Sequence, residues 1–525
     1  MSANSNLNVI ERVRLEKRVA SSQIDVLQER IFAQLTDPKL HPRVTRIDTH
    51  ASSVFLENDR ALKIKHAVRF PFLDYSSLEK RKASCDAEIL INRSFAPQIY
   101  RRVAPITQKS DGSFDIDGAG LPVEYAVEMA RFDESQTFDN LVKLGPLAPS
   151  VAESIAEVIA ATHAIAPRAI TAQWIETIAP IIDDNHAAFR NIAGFSVGEL
   201  DGLREGSRSA LLRHRQLLER RGHLGHVRRC HGDLHLGNIV LLAGKPVPFD
   251  AIEFDPSIAS IDVLYDLAFP MMDFIRYGCG REANIVFNRY LQITSEDHLD
   301  ALSTLALFLS LRAAVRAKVL LAQTRRKVGI DKAASEYFEL ACQLIQPPAP
   351  TLVAIGGLSG TGKSLLAYSL APELLPYPGA VVLRTDVLRK QLLGVGEFDR
   401  LSEDAYRPDL SHQIYDILVE RASRVLKQGH SVIVDGVFAK AEERSPIHHI
   451  ARNLNVKFAG YFLQTSLAAR IDRISHRSKD ASDATPEIAK AQESYSIGTI
   501  DWATIDASGT PEKTFSNCKS ATTNI

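Results

Sequence analysis

Two stretches combine residue types and spacing that can do chemistry, Gly357-Leu-Ser-Gly-Thr-Gly-Lys-Ser364 and His231-Gly-Asp-Leu-His-Leu-Gly-Asn238, and both suit phosphate. The former has the spacing GxxxxGK[ST]. Glycines there let backbone N–H groups curl round phosphates, so Gly357, Ser359, Gly360, Thr361, Gly362, Lys363, Ser364 and Leu365 form a nucleotide cradle. Lys363 reaches the β- and γ-phosphates, and Ser364 ligates Mg2+. A chance glycine turn is the competing reading. The apolar strand Thr351–Ile355 before the loop, and a helix beginning near Lys363, supply the setting that the phosphate mechanism needs.

The other stretch points to a different phosphotransfer chemistry. An aspartate following a histidine in a loop, with an asparagine five residues on, allows Asp233 to orient a hydroxyl nucleophile and Asn238 to hold a metal. Asp250 closes the apolar-rich segment Ile239–Phe249 and offers a second carboxylate for magnesium. A tight turn at Ala243-Gly-Lys245 would fold this segment into a hairpin with Asn238 and Asp250 at its open end.

These groups need a lobe to carry the nucleotide. Ser53–Leu56 and Ala61–Ile64 alternate around Asn58-Asp-Arg60, a hairpin signal that puts Lys63 and Lys65 on one face of the second strand. Either lysine can bridge the α- and β-phosphates, with Glu88 on the predicted helix Ser77–Arg93 as its partner. A solvated strand lysine is the bland alternative. Pro122–Met129 reads as a strand leading out of the lobe, and the backbone around Glu128, Met129 and Arg131 is where a connector would meet adenine. With no glycine-rich loop before Lys63, the turn Thr49–Ser53 must serve as the flap.

These residues resemble the aminoglycoside phosphotransferase and choline kinase superfamily over about residues 45–325. The resemblance implies a protein-kinase-like fold with Lys63 or Lys65 as nucleotide lysine, Glu88 as its partner, Asp233 as base, and Asn238 with Asp250 as metal ligands. Lys63-Ile-Lys-His66, Phe72-Leu-Asp74, Cys85–Arg93, Phe249-Asp-Ala-Ile-Glu-Phe254 and Arg312–Lys318 look more closely like bifunctional aminoglycoside phosphotransferase/ATP-binding proteins.

Beyond the P-loop, Ala380–Leu383 reads as a strand ending at Thr385-Asp386, Ser431–Val434 as one ending at Asp435, and Lys457–Leu463 as a third. Ligands of such sheets lie past the strand C-termini, which aims Asp386 and Asp435 at the phosphates, the former with Arg389 and Lys390 beside it. Arg473 and Arg477 fall four apart on a predicted helix before the polar loop Ser478–Ala484, a lid arrangement. This half resembles P-loop kinases of the gluconate kinase, chloramphenicol phosphotransferase and zeta-toxin type over about 351–515. The resemblance implies Asp386 as base or acceptor contact, Asp435 as a Walker B-like carboxylate, and Arg473 and Arg477 as lid.

At 525 residues the chain exceeds one ordinary core. It divides into a helical extension (1–44), a kinase-like N-lobe (45–130), a helical C-lobe (131–345), a Pro-rich linker (346–350) and a P-loop kinase domain (351–525). The fold class expected is an α+β bilobal protein-kinase-like domain followed by an α/β P-loop NTPase domain with a mainly parallel sheet. Helices are expected over Val9–Leu35 and over 151–165, 199–221, 262–277 and 301–322. Arg312 and Arg316 share a face of the last; a structural role is favoured over an anion clamp, and His163 and His235 are read as framework histidines.

Lys plus Arg (62) nearly balance Asp plus Glu (63), which speaks against nucleic acid as a bulk partner. The arginine-rich run Arg208–Arg229 lacks interleaved aromatics and reads as a solvated helix face. Five cysteines without ligand spacing fit free thiols in a reducing cytoplasm, and no leader or membrane span is expected. The expected function is transfer of the γ-phosphoryl of ATP, or GTP, with Mg2+, to hydroxyls of small polar metabolites at two centres. The alternative is a P-loop module that senses nucleotide, or a toxin-like nucleotide-sugar kinase, attached to a single small-molecule kinase.

Overall fold

The computed structural model describes residues 26–522 apart from 71–72, 191, 193, 325–330 and 478–479. It packs as two compact units. The first comprises the described residues up to Gly145, with Ala161–Trp174 and Gly225–Asp266; the second comprises Pro146–Ala160, Ile175–Leu224 and the described residues from Leu267 onward. In class the fold is a bilobal α+β domain followed in the chain by an α/β domain with a parallel sheet, as expected.

The first unit is organised round a curled antiparallel sheet. Helix α1 (26–35) precedes β1 (Thr45–Asp48), β2 (Ser52–Glu57) and β3 (Arg60–Lys65); α2 (Leu78–Asn92) leads to β4 (Tyr100–Gln108), β5 (Phe114–Ile116) and β6 (Pro122–Ala130). The sheet order is β1-β2-β3-β6-β4-β5. Asn58, at φ 47°, makes the tight β2–β3 turn. Period-two alternation sorts the two faces of β3: Leu62 and Ile64 pack under Ile31 and Phe32 of α1, while Lys63 and Lys65 face α2. Cys85 and Ile89 of α2 share their apolar cluster with Tyr100, Val127, Val240 and Val247, the last two from the hairpin β7 (Ile239–Leu242) and β8 (Lys245–Pro248). Ala243 and Gly244 turn that hairpin at φ 47° and 76°.

The helices expected downstream are found as Pro149–Ile165, Val197–His223, Val263–Arg276 and Leu305–Thr324. Other helices of the described residues, among them Thr171–Arg190, Gly280–Ile293 and Lys332–Leu344, were not anticipated. Of the helix expected over Val9–Leu35, 9–25 lie outside the described residues. No described helix is long and apolar enough to cross a membrane, and all five cysteines are free.

In the second unit β9 (Thr351–Gly357), β10 (Val381–Arg384), β11 (Val432–Asp435), β12 (Lys457–Gln464) and β13 (Ala503–Asp506) pair in parallel in the order β10-β11-β9-β12-β13. Helix α3 (Lys363–Leu370) follows β9, α4 (Thr385–Leu393) follows β10, and α5 (Leu467–Ser475) follows β12. The sheet has β10 at one edge. Along it lies the helix Gly280–Ile293, whose Asn288 donates to the Ala380 carbonyl (3.0 Å) and accepts the Val382 N–H (2.7 Å), pairing like a neighbouring strand.

Candidate active sites

In the first unit, alternate residues of β3 deliver two ammonium groups to one glutamate. Lys63 Nζ lies 2.9 Å from Glu88 Oε1 and 2.7 Å from Asp250 Oδ1. Lys65 Nζ lies 2.6 Å from both Glu88 Oε2 and Glu253 Oε1, and is fully buried. Burial opposes the charge on Lys63, but the Asp250 and Glu88 carboxylates outweigh it and hold its pKa well above the usual lysine range. Desolvation likewise pushes Asp250 up, yet Lys63 prevails and keeps it below the ordinary carboxylate value.

Asp250 follows β8 in the left-handed region, φ 60°, a conformation that an L-residue holds only when its surroundings impose it. Here Tyr100 Oη accepts its N–H (3.0 Å), and Asn92 of α2 grips the next residue, accepting the Ala251 N–H (2.7 Å) and donating to its carbonyl (3.2 Å). Asn238 and Asp250 meet at the open end of the hairpin, where the Phe249 N–H donates to the Asn238 carbonyl (2.9 Å).

Asn238 Nδ2 donates to the Asp233 carbonyl (2.9 Å) and to its Oδ2 (3.2 Å), which leaves the Asn238 side-chain oxygen for another partner. The loop carrying Asp233 is braced from beneath. Asp266 accepts the N–H groups of His231 (3.3 Å) and Gly232 (3.0 Å), and His163 Nε2 lies 3.2 Å from the same carboxylate. Among the described residues His163, Cys230 and Asp266 are the group that gathers metal-type ligand atoms, within 4.8 Å of one another; the hydrogen bonds to Asp266 account for that closeness. Gly232 is required, since at φ 86° a Cβ would stand 2.8 Å from that of Ala259. His231 Nε2 donates to the Phe249 carbonyl (2.9 Å), and burial lowers its pKa. His235 Nδ1 accepts the Gly237 N–H (3.1 Å), a framework role.

Glu128 and Met129 are less open than their sequence setting implied. Both lie inside β6 with registered partners on each side, and the N–H groups of Ala130 and Arg131 are donated to Ile99 and Asp59. The Glu128 carboxylate meets Arg101 and Arg102.

The second site is built from contiguous backbone. Gly357, Gly360 and Gly362 take φ of 142°, 86° and 96°. At Gly360 a Cβ would lie 2.6 Å from the Arg470 carbonyl oxygen. Gln492 accepts the Ser359 N–H (2.8 Å), Arg470 Nε donates to the Ser359 carbonyl (2.8 Å), and Thr361 Oγ1 donates to Leu358 (2.8 Å). Lys363 Nζ touches the Leu358 carbonyl at 3.3 Å, with burial lowering its pKa against the pull of Asp435 and Asp386. Ser364 Oγ donates to Asp435 Oδ2 (2.6 Å). One small cavity is lined by Ser359, Gly360, Lys363, Ser364, Arg384, Asp386, Asp435 and Arg477, so the loop, both aspartates and Arg477 converge. A neighbouring cavity brings together Gly362, Leu365, Arg473, Gly509 and Pro511.

Three expectations change here. Thr385 and Asp386 open α4 rather than end the strand; burial raises the Asp386 pKa, with Arg384 opposing. Arg389 and Lys390 turn away from Asp386, to the Ala405 carbonyl (2.6 Å) and to Asp483 (3.3 Å). Arg473 and Arg477 do not share a helix, because α5 ends at Ser475. Arg473 donates to the carbonyls of Ala507 (2.7 Å), Gly509 (3.0 Å) and Thr361 (3.3 Å), whereas Arg477 reaches the cavity and Asp480 (3.6 Å). Of the lid loop, 478–479 lie outside the described residues.

Sequence reasoning missed Glu253, Arg470 and Arg384. Arg384 is buried 3.4 Å from Asp435 and 2.8 Å from Asp480; its signal was a lone charge closing an apolar strand. Arg312 stacks on Phe269, ring centroid 4.5 Å away, consistent with a packing role.

Two family models match the chain: one described as Phosphotransferase enzyme family over residues 96–295, and one described as AAA domain over 352–495. The chain thus joins a region that matches a phosphotransferase enzyme family to a following region that matches an AAA domain. Uncharacterized protein Rv2004c of Mycobacterium tuberculosis (strain ATCC 25618 / H37Rv) is 29% identical over 487 residues, 89% of this chain and 93% of that protein. Uncharacterized protein Mb2027c of Mycobacterium bovis (strain ATCC BAA-935 / AF2122/97) matches to the same extent, 29% over 487 residues. Among solved structures, a choline/ethanolamine kinase family protein from Mesorhizobium loti is 15% identical with a TM-score of 0.38, covering 61% of this chain and 95% of that one. A gluconokinase from Sinorhizobium meliloti 1021 is 19% identical with a TM-score of 0.24, covering 33% of this chain and 95% of that one.

Proposed function

We propose that the protein transfers the γ-phosphoryl of ATP to hydroxyl groups of small polar metabolites, at two centres. The observation that supports this reading is that each centre gathers a lysine, a pair of oxygen-bearing side chains and a further carboxylate. The parts are Lys63, Asn238 with Asp250, and Asp233 in the first; Lys363, Ser364 with Asp435, and Asp386 in the second. Both metal pairs are hard oxygen donors, as Mg2+ requires, and Mg2+ held there would neutralise phosphate charge.

In the first centre Lys63 is the phosphate-binding lysine, since both lysines sit between two carboxylates but only the Lys63 side chain stays partly accessible, 16% against 1% for Lys65. Asp233 orients the acceptor hydroxyl and takes its proton as the O–P bond forms. The adenine is read to sit against the chain beyond Arg131, past the donors that β6 has used. In the second, the loop N–H groups and Lys363 hold the β- and γ-phosphates, and Arg477 with Arg384 offsets charge in transfer. Asp386, its pKa raised by burial, is the stronger base for the acceptor. Arg473 shapes the cavity wall through the backbone it holds. Residues 346–350 are the proposed joint between the kinase-like and P-loop domains, the reaction is placed in the cytoplasm, and neither nucleic acid nor membrane is a partner.

The test is a metabolite extract incubated with γ-labelled ATP and wild type, Asp233→Asn or Lys363→Ala, with labelled species identified by mass. Loss of distinct products in the two variants supports two centres. Phosphate release with no labelled acceptor in any sample would replace transfer with nucleotide sensing.

A further inference from the structure

We infer that Lys65 and Glu253 are positioning residues for the metal-binding loop of the first centre, clamping it to α2 independently of Lys63. The inference rests on the nucleotide reading of that centre. In the structure Lys63 and Asp250 satisfy each other at 2.7 Å, a contact for which phosphate on Lys63 and magnesium on Asp250 would compete once bound. What then fixes Asp250, held at φ 60°, must come from elsewhere.

Glu253 lies three residues on, in the same loop, and is bound 2.6 Å from Lys65 Nζ; Tyr75 Oη (3.2 Å) donates to the same oxygen. Lys65 also holds Glu88 Oε2, so Glu88 keeps a partner when Lys63 is drawn to phosphate. Glu88 and Asn92 stand four apart on α2, on one face, and each grips a different end of the loop's surroundings: Asn92 the Ala251 backbone, Glu88 the lysine that holds Glu253. A desolvated ion pair adds little net stability and much fixed geometry, which is what a loop presenting a metal ligand needs.

The test uses full-length Lys363→Ala protein, in which the second centre is silenced, and calorimetric binding of ATPγS with and without Mn2+. Glu253→Gln keeps the shape and leaves the Lys65–Glu88 pair in place. It should weaken Mn2+-loaded ATPγS about tenfold or more, the range seen when an outer partner of a metal ligand is lost, while metal-free ATPγS affinity, measured well below the lowered unfolding temperature that loss of one partner of a buried pair brings, stays unchanged. Lys65→Met should reproduce the selective loss and Lys65→Arg should recover most of it. Wild-type Mn2+-loaded affinity in Glu253→Gln, or equal losses with and without metal, would overturn the inference. If Lys63→Ala and Asp250→Asn both leave binding untouched, the nucleotide reading of this centre falls first and takes the clamp with it.

Discussion

The two proposed phosphate centres are built from opposite materials. The second centres on a short run of chain, Gly357–Ser364, whose glycine dihedrals shape the loop locally, with Arg384, Asp386, Asp435 and Arg477 lining the same cavity. The first is assembled from side chains that stand up to 187 residues apart, Lys63 to Asp250, and is held by ion pairs and by the asparagine grip of α2. A local site fails when its backbone cannot take the required shape; a dispersed one fails when a single charge loses its partner.

The largest break should come from the dispersed site. Asp233→Asn is expected to cut transfer at the first centre by about 10²–10⁴, the usual share of a positioned acid or base, with ATP affinity nearly unchanged; single-turnover transfer set beside equilibrium binding checks this. Gly360→Ala tests the local site. A Cβ would stand 2.6 Å from the Arg470 carbonyl at φ 86°, so about 1–3 kcal/mol of strain should appear as weaker nucleotide binding at the second centre alone. Gly244→Ala, at φ 76° with nothing within 4 Å, is the matched control and should cost only about 1–2 kcal/mol of unfolding free energy.

A gentler comparison uses pH. Burial lifts Asp386 above the ordinary carboxylate range. On acidification from neutrality Asp386 therefore takes up a proton before an unshifted carboxylate would, and transfer at the second centre should begin to decline above the reference carboxylate values. The rate of forming the product lost in Lys363→Ala, measured from pH 7 to about 4, decides it; a decline confined to the ordinary carboxylate range would remove Asp386 from the role of base. The smallest effect on turnover is expected for Arg473→Ala, which removes the hydrogen bonds Arg473 donates to three carbonyls and should cost about 1–3 kcal/mol of stability, whereas Arg477→Ala should lower turnover with little change in stability.

How much was readable follows the same division. The P-loop motif, its flanking strand and helix, and the end of β11 could be written from the sequence because each depends on neighbours in the chain. Lys63, Lys65 and Glu88 were placed on the correct elements by period alone, yet which lysine faces outward depended on Glu253 and Asp250, carboxylates of a loop far along the chain. Arg473 and Arg477 were put on one helix because a four-residue spacing looks helical; the helix stops at Ser475, and backbone carbonyls capture the first arginine. The helices Thr171–Arg190, Gly280–Ile293 and Lys332–Leu344 were not anticipated although each carries its apolar residues on one face, so they were legible by the same period that gave the others.

The amide of Asn288 along β10 carries a practical consequence. An open parallel edge is a template on which another chain can add a strand, and proteins that leave one bare tend to aggregate. Here two hydrogen bonds from one side chain, at 3.0 and 2.7 Å, occupy the positions an intruding strand would need first. A fragment begun at Thr351 would lose that cover and bare the β10 edge, so a well-behaved recombinant piece should begin ahead of Gly280.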